Sequence, residues 1–192
     1  LTVEREEDGK FMSLFHGTTL HGKQWLDPYK RFEPLTYYHA TGPAGRVFSE
    51  FSGDKRKQRI AVTGLGTGSL AAYAGPGQEI DIYEIDVAVK RIAANTAYFS
   101  YLNDCRANWK IILGDARLTM EKAPANYYGL IALDAFSSDA IPVHLLTKEA
   151  IELYFSKLTQ DGVLLVHISN QYVDLAPILF GLAQESGYAC IM

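Results

Sequence analysis

From residue 59 onward the chain alternates short, β-rich runs with helix-length stretches, and this restricts its fold more than any other feature. The spacing predicts strands at Arg59–Thr63, Glu79–Ile85, Trp109–Leu113, Tyr128–Leu133 and Gly162–His167. It predicts a short helix after Ser69, a helix from Val87 to about Leu102 capped by Asp86, and a helix from Lys148 to Leu158. Strand then helix, repeated, describes an α/β domain whose doubly wound, mostly parallel sheet carries helices on both faces. Residues 10–27 follow a different rule, alternating in polarity with Gly17 and Gly22 as breakers, which reads as a small β-hairpin. Between the two lies a connector punctuated by Pro28, Pro34, Gly42, Pro43 and Gly45, carrying the aromatic pair Tyr37-Tyr38. The expected organisation is therefore a hairpin unit with its connector at 1–45 and the doubly wound α/β domain at 46–192. The last residues, Gly187 to Met192, read like the start of another strand, as in a domain cut from something longer.

Charge and cysteine content narrow the function. With 18 Lys and Arg against 22 Asp and Glu the net charge is −4, and the scattered basic residues form no phosphate-neutralising stripe, which argues against a nucleic-acid partner. Cys105 and Cys190 are too few for a disulfide framework and too far apart for a zinc knuckle, which suits a reducing compartment and buried thiols. No apolar run approaches the roughly 18–20 residues of a membrane-spanning helix, so this segment is expected to make no membrane contact. His16, His21 and Trp25 sit on an alternating hairpin, where packing or exposure is the ordinary outcome and no metal is expected. Tyr98, Phe99 and Tyr101 read as core.

In doubly wound sheets ligands bind beyond the carboxyl ends of the strands, and four such ends carry informative residues. The first holds Gly64-Leu-Gly66-Thr67-Gly68, where missing side chains let backbone approach a ligand, although a tight structural turn fits too. Glu84 ends the second strand about 20 residues further on, the position of an acid that accepts from ribose hydroxyls. Together they suggest an adenosine ligand. The dinucleotide pattern would require glycine at Ser69, so a pyrophosphate has no evident cradle, and a nucleoside sulfonium such as S-adenosylmethionine is favoured over NAD. After the third strand Gly114-Asp115-Ala116 offers an acceptor for an adenine amine, or a cap for the next helix. After the fourth, Asp134-Ala-Phe-Ser-Ser-Asp139-Ala-Ile-Pro142 brings two carboxylates to the mouth of the site, suited to a cationic amine with one acid as base. Asp139 also fits a turn cap.

These elements, in this order over roughly residues 10–180, resemble the spermidine synthase family. More narrowly, they are similar to bacterial spermidine synthase-like proteins that often occur fused to membrane-spanning segments. The resemblance implies a Rossmann-like methyltransferase fold behind a small N-terminal β-domain. It also implies transfer of an aminopropyl group from decarboxylated S-adenosylmethionine to a polyamine, with release of methylthioadenosine and no metal. It assigns Asp134 as acceptor of the attacking amine's proton, Asp139 as the acid holding a second ammonium, and Tyr38 as the residue orienting the nucleophile. His39 falls beside that tyrosine, where the family has a polar residue. Gln24 corresponds to the hairpin glutamine next to the donor, the glycine turn at Gly64, Gly66, Thr67 and Gly68 to the donor loop, Glu84 to the ribose acid, and Asp115 with Ala116 to the adenine contacts.

Two departures bear on specificity. Thr67 stands where the family carries an aspartate that contacts the donor's free amine and disfavours a carboxylate, so intact S-adenosylmethionine becomes admissible. The two loop acids are separated by four residues rather than the family's two. The alternatives are therefore a methyltransferase acting on a small amine or other nucleophile, and a non-catalytic nucleoside-sensing module of a larger membrane protein. The family resemblance also implies a homo-oligomer, and the expected location is the cytoplasm, alone or as the cytoplasmic domain of a membrane-anchored protein.

Overall fold

The computed structural model describes residues 1–51, 57–136, 141–169 and 173–191. Its N-terminal part is a three-stranded antiparallel sheet, β1 (Thr2–Arg5), β2 (Phe11–His16) and β3 (Thr19–Trp25), in the order β1-β2-β3. The expected hairpin is β2-β3. The short, mostly exposed β1 at its edge was not legible, because four residues with a single half-buried position carry almost no period. A register shift lies between Leu14 and Phe15, opposite Gly22 and Leu20.

The second sheet has five parallel strands: β4 (Arg59–Thr63), β5 (Glu79–Glu84), β6 (Asn108–Leu113), β7 (Tyr128–Leu133) and β8 (Leu158–Val166). Their order is β6-β5-β4-β7-β8. The chain moves outward from β4 through β5 to β6, then returns to β7 on the other side of β4. The β4-β7 pair is thus the topological switch point, where side chains after the strands diverge and leave a crevice.

Strand alternation divides the core in two. Ile60, Val62, Ile80, Ile82, Leu130 and Ala132 face one cluster, which includes Phe48, Leu70 and Leu102. Ala61, Tyr83, Ile131 and Leu133 face the other, with Met120, Ala150, Ile151 and Tyr154. The helices are α1 (Pro43–Glu50), α2 (Val87–Ala93), α3 (Tyr101–Asp104), α4 (Ala116–Met120), α5 (Lys148–Lys157) and α6 (Ala176–Ser186). After the glycine turn the short helix is a 3₁₀ segment, Ser69–Tyr73.

Asp86 caps α2 as expected, accepting from the Ala88 N–H at 2.7 Å. The single helix expected from Val87 to about Leu102 is instead α2 and α3 with a turn between. Asn95 takes the Ala97 N–H onto its side chain at 3.0 Å, a local bond that competes with helix continuation. The break lets Phe99 and Tyr101 both reach the core, while Tyr98 stays exposed. The connector also holds more structure than its prolines and glycines suggested: α1 begins at Pro43 as the first helical residue and runs across position 45. No strand forms at residues 187–191, where Tyr188 stacks on Phe155 with ring centroids 3.5 Å apart.

Candidate active site

A cavity of about 310 Å³ opens at the carboxyl ends of β4, β5, β6 and β7. Its walls include Gly64, Gly66, Glu84, Asp115, Ala116, Tyr38 and Asp134, seven residues singled out from sequence. The glycine turn can sit there because nothing projects from it. Gly64 has φ +87°, and a Cβ on it would lie 2.5 Å from the Asp134 carbonyl oxygen. Turn and carboxylate loop are thus in backbone contact, fastened by the Asp134 N–H donating to the Thr63 carbonyl at 3.0 Å.

Glu84 is buried, and its two oxygens accept from the Leu65 N–H at 2.9 Å and the Asp86 N–H at 2.7 Å. It therefore stitches the end of β5 to the glycine turn, with lone pairs left for a ligand hydroxyl. Burial pushes its carboxyl pKa up, and the backbone donors pull against that shift. Glu84→Gln would turn an amide NH₂ toward these N–H groups and leave a buried donor unpaired, a loss of about 1–3 kcal/mol. The expected result is a melting temperature lower by about 3–10 °C, read by thermal denaturation; an unchanged value would remove the stitching role.

Asp115 does two things at once. One oxygen caps α4, accepting from the Leu118 N–H at 3.1 Å, and the other lies 2.8 Å from His144 Nε2. Burial works to raise its pKa, but the Leu118 amide and His144 outweigh it and hold the carboxyl below its ordinary range. The cap expected of this residue is present, and the same carboxylate lines the cavity.

Asp134, the first residue after β7, is the centre of the polar cluster. Its Oδ2 accepts from the Tyr38 hydroxyl, and its Oδ1 lies 2.6 Å from His167 Nδ1. Tyr38 is buried; its hydroxyl lies 2.9 Å from that of Tyr37, and Tyr73 donates to its carbonyl. Burial first, and then the Asp134 charge, raise both phenols well above the ordinary tyrosine range. Neither is a base at neutral pH, and Tyr38 acts as a donor to Asp134. A second, mostly apolar cavity of about 190 Å³ lies against Tyr37, Tyr38, Asp134 and His167, so that Asp134 stands between two chambers.

Four sequence candidates lie off the larger cavity's wall. Gln24 is buried, with Nε2 donating to the Arg31 carbonyl at 2.8 Å and Ser100 Oγ at 3.0 Å, while Oε1 accepts from the Ser100 N–H at 2.8 Å. It ties the hairpin to the sheet domain. Thr67 is 1% exposed, 2.8 Å from Ser69 Oγ, and sealed under the hairpin, because Gly22 lacks the Cβ that would sit 2.7 Å from Thr67 Oγ1. Gly68 turns the chain into the 3₁₀ segment. His39 is exposed and 3.0 Å from Thr41 Oγ1. Asp139 lies outside the described residues.

Sequence reasoning passed over His167, although it is the first residue after β8 and the strand-end criterion reaches it. It also passed over His144 beside Asp115, and it read His16 and His21 as packing or exposed, whereas they line the cavity with rings 5.9 Å apart. Among the described residues no group of three or more His, Cys, Asp or Glu is placed to hold a metal ion, and no helix is long and apolar enough to cross a membrane.

Comparison with known proteins bears out the family resemblance. A polyamine aminopropyltransferase from Vibrio vulnificus is 34% identical over 149 residues, 75% of this chain and 46% of that protein. A probable spermidine synthase from Corynebacterium glutamicum superimposes with a TM-score of 0.67 at 19% identity, over 85% of this chain and 58% of its own. A spermidine synthase in complex with the transition-state analogue AdoDATO gives 0.53 at 21% identity, over 67% of this chain and 44% of its own. The fold is thus the α/β fold of spermidine synthases, with a small antiparallel sheet at the N-terminus. The chain spans about half the length of these relatives. No protein-family model matches it.

Proposed function

We propose that this chain, similar in sequence to a polyamine aminopropyltransferase and in fold to spermidine synthases, is the donor-binding and catalytic part of an aminopropyltransferase. Its donor would be decarboxylated S-adenosylmethionine and its acceptor a polyamine. One observation carries the reading: Asp134, bonded by the Tyr38 hydroxyl, stands between a cavity walled by the glycine turn, Glu84 and Asp115 and a second, apolar one. The first suits an adenosine and the second the methylenes of an amine. The amine would meet the sulfonium-bound methylene carbon beside Asp134.

A sulfonium is already a good leaving group, so what this chain supplies is geometry and a proton acceptor. Reacting atoms held about 3–3.5 Å apart in line are near the transition state. Alkylamines with pKa near ~10.4 are mostly protonated at neutral pH and must lose a proton to attack. Asp134 takes that proton, Tyr38 aims the nitrogen, and the nitrogen lone pair forms the new C–N bond. The C–S electron pair leaves on sulfur as neutral methylthioadenosine. A retained second ammonium is assigned to Asp139 on sequence grounds alone. Where two buried thiols were expected, Cys105 is partly buried and Cys190 exposed; a cytoplasmic setting is assigned on sequence grounds alone.

Thr67 supports a second reading. Sealed beneath Gly22, it sets no carboxylate toward the donor from this position, so intact S-adenosylmethionine and methyl transfer fit as well. The test is chromatography of the nucleoside released when the protein is given either donor and a panel of diamines. Methylthioadenosine is expected from the decarboxylated donor. S-adenosylhomocysteine from the intact donor would establish methyl transfer instead, and nucleoside binding without either product would indicate a sensing module.

A further inference from the structure

We infer that His167 is the positioning residue of the proposed transfer, fixing the Asp134 carboxylate through its Nδ1–H; this rests on the reading of function above. A carboxylate only accepts, so the hydrogen in the 2.6 Å contact between Nδ1 and Asp134 Oδ1 belongs to the imidazole. Left to itself, an aspartate carboxylate rotates in a broad, shallow torsional well. Here Tyr38 holds one oxygen and His167 the other, and the plane is set.

The histidine is itself held by its backbone and by its ring. Its backbone N–H donates to the Leu133 carbonyl at 3.0 Å, which continues the β7-β8 pairing to the residue beside Asp134. Its ring lies between those of Tyr37 and Phe136, each with a centroid 4.5 Å away. Its side chain keeps 20% exposure against 9% for Asp134, and it shares the wall of the smaller cavity with that carboxylate. A hydrogen on Nδ1 is therefore a measurable consequence of this contact. A carboxylate free to swing would misplace the proton acceptor by an ångström or so, and errors of that size cost on the order of 100-fold in rate.

Three variants separate positioning from bulk. Asparagine at 167 keeps an N–H donor near the place of Nδ1, glutamine carries its amide further out, and leucine has no donor. His167→Leu and His167→Gln are expected to lower kcat by about 10–100-fold with the donor KM within about threefold of the parent, and His167→Asn to recover kcat to within about fivefold. In ¹⁵N-resolved spectra of the parent protein the hydrogen is expected on Nδ1 of His167. A leucine variant with parental kcat, an asparagine variant as slow as leucine at an equal melting temperature, or an imidazole protonated only on Nε2 would each overturn the assignment. A parent protein that transfers no aminopropyl group would overturn the functional reading and this role together, whereas an active parent indifferent to the leucine substitution would overturn this role alone.

Discussion

Asp134→Asn is expected to lower kcat by about 10²–10⁴-fold while nucleoside affinity stays within a few-fold of the parent. The substitution preserves shape and removes two functions. Asp134 presently accepts two hydrogen bonds, from the Tyr38 hydroxyl at Oδ2 and from His167 Nδ1 at Oδ1. An amide offers one acceptor atom, so one of those donors would face an NH₂ group and the cluster would rearrange. The amide also cannot take a proton from the incoming amine, and neither Tyr37 nor Tyr38 replaces it, since both phenols are held in their protonated form. Glu84, Asp115 and Ala116, on the wall of the larger cavity, are untouched. Steady-state kinetics together with calorimetric titration of methylthioadenosine separates the two quantities. Near-parental kcat in this variant would remove Asp134 from the role of base.

Gly64→Ala should be damaging far beyond the size of the single methyl group it adds. At φ +87° an L-residue is strained by about 1–2 kcal/mol before any contact is considered. The added Cβ would then lie 2.5 Å from the Asp134 carbonyl oxygen, 2.9 Å from its carbon and 3.0 Å from the Ala135 Cα. All three are backbone atoms, so no flexible side chain can move aside. Relief requires parting β4 from β7 at the switch point or displacing the Asp134 loop. A loss of about 3 kcal/mol corresponds to a melting temperature lower by about 6–12 °C. Because the displaced backbone carries Asp134, kcat should fall by about 100-fold as well. Thermal denaturation and kinetics on the same preparation check both; an alanine variant with parental stability would show that the turn and the loop are not in contact.

The parallel sheet was readable because buried parallel strands are nearly unbroken apolar runs bounded by glycine and charge, as at Tyr128–Leu133. The rule that ligands gather beyond strand ends then led to Gly64, Glu84, Asp115 and Asp134, all of which meet at one cavity. What resisted reading depends on where side chains turn after folding. Gln24 and Thr67 occupy plausible positions in the chain, yet the hairpin's packing through Gly22 and Ser100 turns both inward. His167 stands at a strand end that the same rule reaches, but its contact with Asp134 spans 33 residues of sequence, and no local pattern carries that pairing. The split of the expected Val87–Leu102 helix shows the same thing on the scale of an element, with burial of Phe99 and Tyr101 overriding helical propensity.

The central claim is that the propyl chain of the donor, and not its methyl group, moves to the amine held at Asp134. The most direct measurement supplies the protein with decarboxylated S-adenosylmethionine deuterated in the S-methyl group and with an acceptor diamine, and follows the label by mass spectrometry. Aminopropyl transfer predicts that all deuterium remains in methylthioadenosine and that the amine gains an unlabelled aminopropyl group. Deuterium in the amine would contradict the account and establish methyl transfer.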